Sequence, residues 1–301
     1  MKFARSPIDR VLPPLLVASL FGWELVVRPR SADHTGGATP AASLKPEQAH
    51  ELAETSQILI QEGRDEEALD PSLKLYAAFP ENHVYIGQIA EIYDRLGRYG
   101  EEAQFWEKYV EHAPMPLEAC PQIGQAYGKQ GKDQEAIDAF ERCLAFDSES
   151  TTNIFYLAHA LEIAQQFGRA AEMYQRGLAL SPTNVDLLVG LGRAQFRLDQ
   201  LAQAKKTVSQ VLARSPDNVD ALLVLGLVEM RQGHLRAAKQ VLERGVKLSE
   251  GYSDFHIALG RLAEKQNDIA EAVRQYNRVI ELKPGNEEIR ARRNALRPAG
   301  R

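Results

Sequence analysis

Residues 185–218 read VDLLVGLGRAQFRLDQLAQAKKTVSQVLARSPDN, and residues 219–252 repeat that pattern at once. The two boundaries, SPTNVD and SPDNVD, are almost superimposable. Stepping the frame by 34 residues in both directions tiles 49–286 without an insertion, as 49–82, 83–116, 117–150, 151–184, 185–218, 219–252 and 253–286. Self-similarity at a fixed period of this length marks a chain built from stacked supersecondary units.

With each repeat numbered 1 to 34, position 8 is small in every copy: Ser56, Ala90, Gly124, Ala158, Gly192, Gly226 and Gly260. Position 20 is alanine in every copy except the second, where Glu102 stands. Small residues at these places let two antiparallel helices approach closely while larger side chains fill the space around them. Position 24 carries bulk in Trp106, Phe140, Tyr174, Val208, Leu242 and Tyr276. Position 32 is proline in Pro80, Pro114, Pro182, Pro216 and Pro284. Proline cannot continue a helix, so it ends the second helix and opens the turn.

This pattern resembles the tetratricopeptide repeat, and the resemblance covers 238 of 301 residues. It implies an all-α fold, a right-handed superhelical solenoid of antiparallel pairs, helix A then helix B, with a C-terminal capping helix in 287–301. The first repeat departs most. Its Pro71 falls inside helix B, where proline removes a donor and clashes with the preceding turn; Asp70 and Pro71 also read as an N-cap and first residue, which would start that helix late.

Composition fits a folded chain, with 44% apolar and 26% charged residues. The net charge of −5 hides an asymmetry: residues 49–116 hold 14 acids and 5 bases, whereas 185–286 hold 12 acids and 15 bases. One end of the array is therefore acidic and the other basic, which bears on association and not on fold; drift of solvated surface charge is the plain reading.

Residues 1–30 carry Lys2, Arg5 and Arg10 and then the apolar run VLPPLLVASLFGWELVV at 11–27. A charged start followed by an apolar run is a secretory pattern. No good small-x-small cleavage site follows within a few residues, because Arg28, Pro29 and Arg30 come next and Ala32 has Arg30 two positions before it, so an uncleaved signal anchor is expected, with a cleaved signal peptide as the alternative. Residues 31–48 are small, polar and Gly/Pro-containing, the composition of a flexible linker. Beyond 286, EEIRARRNALR has helical composition, and Ile289, Ala291, Ala295 and Leu296 are placed to cover the last repeat. A polar-faced cap is what a terminal repeat needs, and a nucleic-acid tail is disfavoured without aromatics.

No active-site pattern occurs. The seven histidines include no pair at helical spacing with a glutamate for zinc, and no strand precedes a glycine loop that would cradle phosphate. A non-enzymatic chain without cofactor, metal or small-molecule substrate is expected. Cys120 and Cys143 occupy positions 4 and 27 of the third repeat, which the resemblance makes neighbours; they read as two buried thiols or, in an oxidising compartment, a disulfide.

The resemblance also implies that positions 2, 5, 9, 12 and 13 of helix A line a concave groove. In the last four repeats position 5 reads Phe155, Val189, Leu223 and Ile257, an apolar strip. Position 9 adds His159, Arg193, Leu227 and Arg261, position 12 adds Phe196, and position 13 adds Arg197 and Arg231. The lysine and asparagine clamp of the chaperone-binding class is missing. The expected function is a membrane-tethered scaffold, with its repeats on the extracytoplasmic side, that binds a peptide or protein segment in this groove. The alternatives are a secreted or periplasmic assembly factor for an envelope or polysaccharide-export machine, or a regulatory subunit of a separate enzyme.

Overall fold

A computed structural model of the chain describes residues 44–113 and 119–296. Among the described residues there are fifteen α-helices and no strand. They follow one another as α1 (Pro46–Gln61) and α2 (Asp65–Ala78), α3 (His83–Arg95) and α4 (Tyr99–His112), and α5 (Cys120–Lys129) and α6 (Asp133–Phe146). Then come α7 (Thr151–Ile163) and α8 (Phe167–Leu180), α9 (Val185–Arg197) and α10 (Leu201–Arg214), and α11 (Val219–Arg231) and α12 (Leu235–Leu248). The series ends with α13 (Ser253–Lys265), α14 (Ile269–Leu282) and α15 (Glu287–Leu296).

The register is strict. Every helix B spans positions 17–30 of its repeat, and α3, α7, α9, α11 and α13 span positions 1–13. Position 34 explains the starts: the side chains of Asn82, Ser150, Asn184 and Asn218 each accept a hydrogen bond from a backbone N–H in the first turn of the helix that follows. Such N-caps satisfy donors that the helix itself leaves unpaired. Position 15 explains the turns, because the chain must reverse there through a left-handed residue. Gly63, Gly97, Gly131 and Gly233 do so freely, while Gln165, Asp199 and Asn267 are forced to φ near 60°.

Close approach at position 8 is visible in the last pair. A Cβ on Gly260 would lie 2.4 Å from the Tyr276 ring, so the ring packs directly against bare backbone. In the first repeat two serines replace that small-and-large combination: the Ser56 and Ser72 hydroxyls hydrogen-bond at 2.6 Å, both buried. Helix α2 does not start late. It runs from Asp65 through a buried Pro71 to Ala78, six residues of helix preceding the proline. Helix α1 begins at Pro46, whose missing N–H costs nothing in a first turn.

The chain divides into two compact units, with the division after Cys143 inside α6. In the first, Ile86, Ile89, Ile92, Phe105 and Trp106 anchor one buried cluster. In the second, successive clusters centre on Val208 and Val224, on Leu242 and Phe255, and on Tyr276 and Val279. Helix α15 closes the last cluster with Ile289, which is fully buried, and packs on α14. No described helix is long and apolar enough to cross a membrane; the apolar run at 11–27 lies outside the described residues.

Candidate functional site

In the second unit α7, α9, α11 and α13 lie side by side as one inner row. Their position-5 residues do not share one depth. Phe155, Leu223 and Ile257 are half-buried, as is Leu227 at position 9, whereas Val189 is only 6% exposed and belongs to the core beside Val208. The apolar strip is therefore interrupted at α9. Phe155 stacks on His159 with ring centroids 6.1 Å apart and touches Tyr174 behind it. Burial and then the Arg193 charge hold the His159 pKa below its ordinary value, so its ring is neutral at pH 7 and serves as an aromatic surface.

The arginines beside the strip are largely committed to neighbouring repeats. Arg193 donates from Nε and Nη2 to the two carboxylate oxygens of Glu162, at 2.5 and 2.9 Å, and Tyr174 donates its hydroxyl to the same carboxylate at 3.1 Å. Arg197 lays its guanidinium 4.4 Å above the Phe167 ring. Arg231 pairs with Asp199 at 3.1 Å and lies 5.3 Å over the half-buried Phe196. Arg261 faces Glu288 on the capping helix at 3.7 Å. Arg197, Arg231 and Arg261 are nonetheless exposed, and each keeps donors free to meet a ligand; Arg193 has its fork filled.

The position-13 row is thus a set of braces. Besides Arg197 and Arg231, Arg95 reaches Asp65 at 2.7 Å and Lys129 donates to Asp94, each partner lying one repeat back. A second set runs along helix B at position 26, where Arg176 and Arg244 donate to the backbone carbonyls of Ser148 and Pro216 in the preceding turns. The partners Glu162, Phe167 and Asp199 were not singled out from the sequence. One signal was available: a glutamate twelve residues before a tyrosine occurs at Glu162/Tyr174 and again at Glu264/Tyr276, and the second glutamate takes the same fork, from Arg292 of α15.

The opposite end of the inner helices is acidic. Position 2 is Asp186, Asp220 and Asp254, exposed or half-buried, and Asp220 accepts from the Tyr252 hydroxyl at 2.8 Å. Carboxylates at helix starts and guanidinium groups at helix ends both complement the helix dipole. Each of α11 and α13 therefore presents acid, then apolar surface, then base.

Cys120 and Cys143 lie together in the first unit, both buried and both free thiols; Cys143 also donates to the Ala139 carbonyl at 3.0 Å. The contact between the thiols lowers the Cys120 pKa, and the same contact together with burial raises that of Cys143. Among the described residues no group of histidine, cysteine or acidic side chains is placed to hold a metal ion.

Tetratricopeptide repeat family models match residues 117–150, 161–223 and 223–287, together more than half of the chain. No curated protein matches it. Among solved structures, a tetratricopeptide repeat protein from Parabacteroides merdae is similar with a TM-score of 0.73 at 13% identity, over 83% of this chain and 99% of that one. The thermophilic TPR protein TTC0263 of Thermus thermophilus is similar with a TM-score of 0.56 at 20% identity, over 60% and 98%. The Cut9–Hcn1 hetero-tetramer of the APC/C gives 0.61 at 16% identity, over 84% and 49%. At these identities the likeness concerns the fold. With the repeat models covering most of the array and the helix pairs in strict register, the chain belongs to the tetratricopeptide repeat family.

Proposed function

We propose that the chain is a non-enzymatic scaffold whose second unit holds a segment of a protein partner on the inner faces of α7, α9, α11 and α13. The observation that carries this reading is the half-buried state of Phe155, Leu223, Leu227 and Ile257, apolar side chains on α7, α11 and α13 that the other described residues leave partly uncovered. Aromatic and aliphatic anchors supply most of the energy at such surfaces, while rim charges set encounter rate and register. The exposed Arg197, Arg231 and Arg261 on one side favour a partner segment with acidic residues on that flank. The reading includes a tether: the apolar run at 11–27 acts as a signal anchor that keeps the repeats on the extracytoplasmic face of a membrane.

The test is capture of copurifying protein by the full chain, followed by mass spectrometry and a direct titration of what is identified. Leu227→Ser with Ile257→Ser is expected to weaken binding at least about tenfold with little salt dependence, since two anchors are lost. Arg231→Glu with Arg261→Glu is expected to weaken it mainly through the association rate and to flatten its salt dependence. If both double variants fold and bind as the parent does, the inner face of this unit is not the docking site.

A further inference from the structure

Position 20 of helix B is occupied by Ala68, Ala136, Ala170, Ala204, Ala238 and Ala272, each no more than 2% exposed. Glu102 takes that place in the second repeat and is equally buried, at 2%. Its Oε2 is enclosed without any hydrogen-bond partner, and its Oε1 lies 3.7 Å from Lys129 Nζ. Helix α4, which carries Glu102, packs against α3 on one side and α5 on the other. The charged groups that face the carboxyl are Asp94 from α3 and Lys129 from α5. On its own helix the Trp106 side chain reaches it, and Tyr99 receives the Lys129 ammonium 5.1 Å over its ring.

The charges do not balance. Lys129 donates to Asp94, so one ammonium serves two carboxylates, and Glu102, when ionised, is a buried charge with half of its hydrogen-bonding capacity unmet. Buried charges are tolerated when paired and satisfied and are costly otherwise. A neutral carboxyl at the same place needs no counter-ion. Every other copy avoids the problem with a methyl group.

We infer that Glu102 is a proton-operated latch on the second repeat: protonated, it lets α4 dock fully between α3 and α5, and ionised, it loosens α4 locally. Burial, opposed by Lys129 and reinforced by Asp94, pushes its pKa up to about 7, which places the transition where modest acidification is felt. The sign follows from proton binding. The folded pKa lies above the ordinary carboxyl value, so the folded chain holds the extra proton, and stability falls as pH rises through the folded pKa. In a repeat array each unit contributes its own stability and that of its neighbouring junctions, so the loosening is local. The latch is independent of any partner docking on the second unit.

The experiment is hydrogen exchange on the full chain at about pH 6 and about pH 8, corrected for the intrinsic rate and read on peptides from α4, α10 and α12. The wild-type protein is expected to open at α4 about tenfold more at the higher pH, with α10 and α12 changing less than about twofold. Glu102→Gln, which keeps the shape and never ionises, is expected to abolish the difference. Glu102→Ala, which restores the residue of the other copies, is expected to abolish it too and provides the comparison if the glutamine variant folds poorly. An α4 that opens equally at both pH values, a change of equal size in all three helices, or a pH dependence that survives in either variant would overturn the latch.

Discussion

Arg193 of α9 and Glu162 of α7 form a two-point fork across adjacent repeats, closed from behind by the Tyr174 hydroxyl. Glu162 is 11% exposed and Arg193 38%, so the pair sits at the edge of the core and not on an open surface. Arg193 therefore braces one inner helix against the next, and its removal exposes the protein to a cost that a groove-lining cation would not carry. Arg193→Ala is expected to destabilise the fold by about 1–2 kcal/mol, discounted from a fully buried pair because the guanidinium is partly solvated. Denaturant melts of Arg193→Ala, Glu162→Gln and the double variant check it. Additive effects would mean that the fork contributes nothing.

Gln165 turns the chain between α7 and α8 with φ at 60°, a conformation that costs a residue with a Cβ about 1–2 kcal/mol. Gln165→Gly is expected to stabilise the protein by about 0.5–1 kcal/mol after the entropy of glycine in the unfolded chain is offset. Asn267→Gly is expected to gain less, because asparagine tolerates this region better. A thermal melt that ranks the two variants the other way would contradict the strain argument.

Cys120 and Cys143 are free, buried and in contact, so oxidation requires no large rearrangement. In the full chain equilibrated with oxidised glutathione, thiol–disulfide exchange is expected to join them, with two equivalents of reduced glutathione released and the pair lost to thiol titration. The bridge would close a loop of 24 residues. By chain entropy it would contribute about 3 kcal/mol. Two thiols still titratable after unfolding in the absence of reductant would leave the pair as packing residues only.

The tether is checked by fractionation. The full chain is expected in the membrane pellet after an alkaline carbonate wash, with Met1 as its amino terminus. Soluble protein beginning a few residues beyond the apolar run at 11–27 would favour cleavage instead.

The register of the fold was open to reading because it is carried by residues that act alone. A proline at position 32 or a small residue at position 8 or 20 restricts its own backbone or its own space, and the helices fall at the same positions in copy after copy. What the groove arginines do was not legible for the opposite reason. Arg95, Lys129 and Arg231 find Asp65, Asp94 and Asp199 about one period earlier, and a one-dimensional reading of position 13 shows the cation without its partner. Val189 was equally opaque: it shares a register position with Phe155 and Ile257 but sinks into the core, since its depth depends on the packing beside it and not on its own place in the repeat.

Two kinds of joint follow from the braces. Arg176 and Arg244 grip the backbone carbonyls of Ser148 and Pro216, a kind of partner that every residue offers, although Arg244 also takes the Asp217 carboxylate at 2.7 Å. The fork from Arg193 to Glu162 needs one particular carboxylate, and the corresponding place in the next repeat is Leu227. Exchange repeats five and six and the carbonyl bond of Arg244 would re-form on the turn after repeat four, while Glu162 would face a leucine. The modules share a shape but carry addresses, and the order in which they are strung is part of what the sequence encodes.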